Sequence, residues 1–186
     1  MQFKLDNVTN LTTARWAAAE GFSYIGFTFD KTDKHYIAPM LAIEIGKWVS
    51  GVKFVAKVTN LEIEVIKDLY ELLSMDFFEV DYITAEKVLA NGSIPFIVSL
   101  DQSNINSAIG LDTFTKSVFA YSYQSDEPVL DKRLLDKCFI PSHFDASLLS
   151  KPPFGVNFSS AIELEPGMVD FDELTDSKQY WEKWFP

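Results

Sequence analysis

Cysteine is nearly absent. Cys138 is the only one, so no intramolecular disulfide can form. It lies in the apolar run Cys138-Phe139-Ile140, which suits a buried, inert thiol better than a nucleophile. Histidine is scarce too: His35 and His143 lie far apart and, with one cysteine, cannot make a typical structural zinc site. Basic residues are outnumbered, 16 Lys and Arg against 27 Asp and Glu, giving a formal charge of -11. That balance argues against a nucleic-acid partner, because phosphate-backbone binding needs a basic face. It disfavours an anionic membrane surface for the same reason. Long hydrophobic runs are missing, and none approaches the roughly 20 residues of a membrane span. The first residues enter an alternating pattern directly, without the apolar core of a signal peptide. The expectation is a cytoplasmic protein. There is no P-loop, dinucleotide-binding glycine pattern or zinc-protease motif, and no cofactor is expected.

What is present is an ordinary globular composition. Hydrophobic residues make up 47% and charged residues 23%, which excludes a disordered chain. A length of 186 residues suits one domain spanning 1–186.

The chain alternates short apolar runs with helical patterns. Phe3–Asp6 reads as a strand, and Thr9 or Asn10 can cap a helix over Thr12–Glu20, ended by Gly21. Tyr24–Phe29 is a nearly continuous apolar run, the mark of a strand covered on both faces. After the polar loop Asp30–His35, Pro39 opens a second helix. Lys53–Val58 is a third strand. Thr59 or Asn60 can cap a helix over Leu61–Leu73 with Ile63, Ile66, Leu69 and Leu73 at helical spacing. Further strands follow at Phe77–Asp81, Ile94–Leu100, Ser117–Tyr121, Cys138–Ile140 and Gly155–Phe158. The segments between them, Thr84–Ala90, Asn104–Gly110, Leu130–Leu135 and Ser142–Leu149, are short. The last helix is expected over Asp172–Trp184, and its aromatic end, Tyr180–Phe185, to seal the barrel bottom or its outer layer. Eight strand–helix units imply an α/β fold with a parallel sheet, closed as a single compact (β/α)8 TIM barrel with shortened helices in its second half. Phe154–Ser160 repeats the design of the first strand. The two are expected to lie side by side, with any ligand between their C-terminal ends.

Lys4-Leu5-Asp6-Asn7-Val8-Thr9-Asn10 resembles the opening Lys-Ile-Cys-Gly-Ile-Thr-Asn of the phosphoribosylanthranilate isomerase family of tryptophan biosynthesis. Lys34-His35-Tyr36-Ile37 resembles that family's Arg-Tyr-Ile loop. Phe154–Glu163, followed by Pro166-Gly167, resembles its closing Val-Asp-Val-Ser-Ser-Gly-Val-Glu and Pro-Gly. The resemblance covers about the first 60 and last 35 residues and implies a (β/α)8 barrel. It also implies an Amadori rearrangement of an N-ribosyl aminoaldose to an aminoketose.

The family's general base is the strand-one cysteine, and Asp6 stands there. It either serves as base or caps the turn through its side chain. The family's general acid is an aspartate at the end of strand six. Tyr121, with Ser122 next to it, stands there, and neither is a ready donor near neutral pH. Asp81 or Asp101 could substitute, or lie solvated on the surface. His35 replaces the loop arginine that meets the substrate carboxylate, or is an exposed loop histidine. Ser159 and Ser160 keep part of the phosphate grip, or act as plain caps. Ala161 replaces a glycine and would be strained at positive φ. After strand seven Pro141-Ser142-His143 carries no glycine pair. Asp6, Glu79 and Asp81 are the one set of carboxylates that could gather Mg²⁺ at a barrel mouth, though no metal is expected. Residues 124–136 could close over that mouth. Three readings stand. One is an isomerase-like protein with Asp6 as base. Another is a non-catalytic barrel that binds a phosphorylated or anionic small molecule or a protein partner. The last is another enzyme on this scaffold. A monomer or homodimer is expected.

Overall fold

The computed structural model describes residues 1–59, 61–89, 95–110, 118–125, 133–165 and 168–186. The expectations that fall on Asn60, Ala90, Ile94, Ser117 and Pro166-Gly167, and most of the 124–136 segment, lie outside these residues. Eight strands form a closed parallel barrel in sequence order. They are β1 (Gln2–Asp6), β2 (Tyr24–Thr28), β3 (Lys53–Lys57), β4 (Phe77–Asp81), β5 (Phe96–Leu100), β6 (Ala120–Tyr123), β7 (Cys138–Pro141) and β8 (Gly155–Ser159). Helices α1 (Leu11–Ala19), α2 (Pro39–Trp48), α3 (Ile63–Leu72), α4 (Tyr82–Leu89) and α5 (Ile105–Gly110) follow the first five strands in turn, and α6 (Phe171–Trp184) ends the chain. Among the described residues between β5 and β8 the helical segments are short. A 3-10 turn at Leu135–Lys137 precedes β7, and another at Ala146–Leu148 precedes β8.

Closure is direct. β1 pairs with β8 along its whole length, from Gln2 opposite Gly155 to Asp6 opposite Ser159. Asn10 caps α1 by accepting from the Thr13 N–H. Pro39 opens α2, where its missing N–H costs nothing. α3 begins later than its pattern suggested: Glu62 occupies the cap position without a side-chain bond, and Thr59 is not the cap. A two-stranded hairpin, β9 (Glu163–Glu165) with β10 (Met168–Val169), has no counterpart in the sequence reading, because runs this short carry no periodicity.

Strand β6 corrects a second expectation. The aromatic run before Tyr121 suggested a strand ending there, but the ladder to β5 pairs Ser99 with Ser122 and Leu100 with Tyr123. Tyr121 is therefore a mid-strand residue. It is fully buried beside Cys138, and burial first, then that neighbouring thiol, pushes its hydroxyl up to about 12. Burial also pushes the Cys138 thiol up to about 12, which fits an inert core cysteine.

Inside the barrel, Tyr24, Val55, Ile97, Ala120 and Phe139 form a plug at the N-terminal ends of the strands, with Phe77 and Phe154 packed against it. Gly155 makes the plug possible. A Cβ there would stand 2.6 Å from the Phe139 ring and 2.7 Å from the Gln2 carbonyl oxygen. Outside, Trp181 is fully buried, and its indole N–H donates to the Ser142 carbonyl at 2.8 Å. The aromatic tail is thus part of the outer layer, and it pins the turn after β7. Gly155→Ala should destabilise the fold by about 1–3 kcal/mol, the usual cost of overpacking. Denaturant unfolding reads this, and an unchanged midpoint would contradict the packing described.

Candidate active site at the β1–β8 mouth

Successive side chains on a strand alternate between faces. Tyr24, Val55, Ile97, Ala120 and Phe139, with Phe77 packed against them, face inward, so residues two further along face inward as well. On several strands these are polar: Lys57, Glu79, Ser99 and Ser122. Lys4, whose Nζ lies 6.0 Å from the Phe139 ring centroid, rests on the plug. Its ammonium is wholly buried between two carboxyls. It lies 2.7 Å from Asp6 Oδ1, donates to Asp6 Oδ2 at 2.8 Å, and donates to Glu79 Oε2. Ser99 Oγ donates to the other oxygen of Glu79 at 2.8 Å, and Asn157 Nδ2 donates to Asp6 Oδ2 at 2.8 Å. Two of the three carboxylates that could have gathered a metal, Asp6 and Glu79, hold an ammonium instead.

The charges follow from this geometry. Burial alone would raise the Asp6 pKa. The Lys4 and Lys57 ammonium groups and the hydrogen bonds from Lys4 and Asn157 outweigh it, and hold the carboxyl below the usual carboxylate range. Burial alone would lower the Lys4 pKa, but Asp6 and Glu79 outweigh it and hold it above the ordinary lysine value. Asp6 is therefore ionised and Lys4 protonated at neutral pH. Asp6 Oδ1, although close to the Lys4 nitrogen, accepts no hydrogen bond.

Two backbone features make room for this arrangement. A Cβ at Gly26 would lie 2.0 Å from Asp6 Oδ1, so β2 must carry glycine where it passes the carboxyl. Asn7 has φ 63, a left-handed conformation that asparagine tolerates better than most residues. Its side chain then bridges the seam, donating to Ser159 Oγ at 2.8 Å and accepting from Thr28 Oγ1 at 3.2 Å.

The expected site residues divide. Asp6 and Ser159 line a cleft of about 270 Å³, together with Asn7, Lys57, His143 and Asn157. Ser160 is buried and committed to the seam: its Oγ donates to the Asn7 carbonyl at 2.7 Å and its N–H to the Asp6 carbonyl at 3.0 Å. Ser159 Oγ also accepts from the Ala161 N–H at 3.2 Å. Ala161 is unstrained, since among the described residues Asn7 is the one non-glycine with positive φ. Asp81 accepts from the N–H and hydroxyl of Thr84 and so caps the start of α4. Asp101 accepts from Ser103 and Asn104, and the Ser103 hydroxyl in particular keeps it below its ordinary pKa. His35 lies in the loop after β2, its Nδ1 3.2 Å from Asp33 Oδ1.

No family model matches the sequence. The chain is 28% identical over 199 residues to N-(5'-phosphoribosyl)anthranilate isomerase of Aquifex aeolicus, across 95% of this chain and 96% of that protein. It is a divergent relative of the phosphoribosylanthranilate isomerases. Solved structures of that family share the fold. One, in complex with reduced 1-(o-carboxyphenylamino)-1-deoxyribulose 5-phosphate, superposes with a TM-score of 0.79 at 20% identity, covering 98% of this chain and 99% of that one. Another, of monomers generated from the dimeric isomerase of Thermotoga maritima, gives 0.78 at 20% identity, with the same coverage. Seen beside the isomerase opening motif, this relative keeps the strand-one lysine, changes the cysteine to Asp6 and the following glycine to Asn7. The sequence reading placed Glu79 at the mouth as a candidate Mg²⁺ carboxylate and gave Lys4, Asn157 and Lys57 no part in the barrel's polar centre. The signal was the period of two: Lys4 and Asp6 share a face, and Glu79 is a charge in an otherwise apolar strand interior.

Lys4→Met leaves two carboxyls facing each other in the core. It should cost about 3–5 kcal/mol, the usual penalty for breaking a buried pair. The wild type should also show two pH limits. The Asp6 contribution is present above its unfolded pKa, about 3.9, and is lost as pH falls toward the depressed folded value. The Lys4 contribution is present below its unfolded pKa, about 10.4, and is lost as pH rises toward the elevated folded value. Urea midpoints across pH read both, and a Lys4→Met protein as stable as wild type would refute the clamp.

Proposed function

We propose that the protein is a phosphoribosylanthranilate isomerase-like barrel that acts in the cytoplasm on a phosphorylated ribosyl amine at the β1–β8 mouth, with Asp6 as proton acceptor. One coincidence carries this reading. The alignment to the Aquifex isomerase runs through nearly the whole chain, and an ionised carboxyl sits at the strand-one position from which the family's base works. In an Amadori rearrangement the sugar ring opens to an iminium, and a base then takes the proton from C2′. The adjacent cationic nitrogen acidifies that proton. A carboxylate of depressed pKa is a weak base, and a C–H acidified in this way is the kind of proton it can accept. Ser159 and the backbone of the turn after β8 would meet the phosphate, and His35 the carboxylate of the aromatic ring.

A second reading, a barrel that binds the same class of ligand without turnover, draws on how fully the site is tied down. Lys4 and Asn157 clamp Asp6, while Asp81, Asp101 and Ser160 are occupied in local hydrogen bonds.

Complementation of a strain lacking the isomerase, and turnover of phosphoribosylanthranilate by the purified protein, test the first reading. Asp6→Asn should lower kcat by about 100-fold or more. Failure to complement at high expression, with the reduced ribulose 5-phosphate analogue still bound, would leave the second reading in place. Absence of both binding and turnover would remove both.

A further inference from the structure

We propose that Lys57 is the proton donor that works opposite Asp6, an inference that rests on the isomerase reading above. Lys57 ends β3, between Thr28 of β2 and Glu79 of β4 in the strand register. Val55, two residues earlier, belongs to the barrel plug, so strand alternation turns Lys57 inward as well. It is half-buried and lines the same cleft as Asp6, Asn157 and Ser159. Its charge is felt by the Asp6 carboxyl, which places the two groups within electrostatic reach of each other.

Among the buried and half-buried lysines its bonding sets it apart. Lys4 is clamped by Asp6 and Glu79, Lys151 by Asp136 and Lys178 by Glu182. Lys137 donates to the Val118 carbonyl. The Lys57 ammonium makes no hydrogen bond or ion pair among the described residues, although its backbone carbonyl accepts from the Phe29 N–H. A half-buried ammonium that makes no hydrogen bond is free to meet a ligand oxygen. Asp6 Oδ1 accepts no hydrogen bond, and its charge is met by the Lys4 ammonium 2.7 Å away. The cleft therefore brings an unbonded ammonium near an ionised carboxylate, the pair that an aldose–ketose rearrangement uses.

The proton balance closes with these two groups. The nitrogen lone pair at C1′ expels the ring oxygen. Lys57 protonates that oxygen as the C1′–O bond breaks, leaving a hydroxyl and an iminium. Asp6 takes the C2′ proton, and the C–H electrons form the C1′=C2′ bond and neutralise the nitrogen. Asp6 then returns its proton to C1′ while the neutral Lys57 amine takes the C2′ hydroxyl proton. The product is the aminoketose, and both side chains regain their starting charge.

The test uses the full chain and the variants K57R and K57Q, with turnover of phosphoribosylanthranilate and calorimetric binding of the reduced ribulose 5-phosphate analogue. Arginine keeps the cation but does not release a proton. Both variants should lose about 100-fold or more in kcat, while K57R binds the analogue much as wild type does. Melting midpoints confirm folding, and K57M replaces K57Q if glutamine unfolds the chain. A K57R protein with wild-type kcat would show that a positive charge suffices and overturn the donor role, as would an active K57Q. A wild type without turnover would overturn the isomerase reading itself, and the donor role with it.

Discussion

An ammonium with no access to water needs compensating negative charge, and in this barrel Lys4 receives it from both sides. Taking a cation into a protein interior costs several kcal/mol after relaxation, and only close, well-bonded partners offset it. Asp6 and Glu79 provide them, and each carboxyl is steadied in turn by a neutral donor, Asn157 or Ser99. Several otherwise odd residue choices follow from this cluster. Gly26 is bare because Asp6 occupies the space where its Cβ would stand. Asn7 takes a left-handed backbone at the point where β1 leaves the cluster, and its amide stitches β2 to β8. The aromatic plug beneath provides the dry floor on which the ammonium rests.

The same cluster shapes what the mouth can do. Replacing a strand-one cysteine by aspartate puts a permanent negative charge where a thiol could be neutral. The strand-one lysine then serves as counter-ion, and Glu79 completes the arrangement from across the barrel. Asp6 gains certainty of ionisation and loses basicity, two consequences of one depressed pKa. Ser160, which could have contributed to a phosphate grip, is drawn into the β1–β8 seam. Chemistry at this site must therefore rely on groups that are not bound up in the cluster, and among the described residues lining the cleft the Lys57 ammonium is of that kind.

Much of the architecture was legible from the chain because each strand is short, apolar and followed by a polar turn. The pairing of β1 with β8 could be read from two similar strands at opposite ends of the sequence. Boundaries failed where residue type and pairing disagreed. Aromatic residues pulled the expected sixth strand toward Tyr121, whereas its ladder to β5 runs to Tyr123. The site was legible in part. Asp6 stood out because it sits at the end of the first strand and in a recognisable motif. Asp81 also stood at a strand end, yet its carboxyl is engaged by Thr84. A carboxyl's duty there depends on the residue three positions later as much as on its own place. Lys4 and Glu79 lie 75 positions apart, and nothing local in either strand announces that their side chains meet inside a closed ring.

The most direct test of the clamp is the titration of the Asp6 carboxyl itself, followed by its carbon-13 side-chain resonance in wild type and in Glu79→Gln. The account predicts that Asp6 titrates below the ordinary aspartate value of about 3.9 in the wild type. It predicts a further fall in Glu79→Gln, where Lys4 is left to Asp6 alone. An Asp6 that titrates above that value in the folded protein would contradict it, since burial would then outweigh the ammonium.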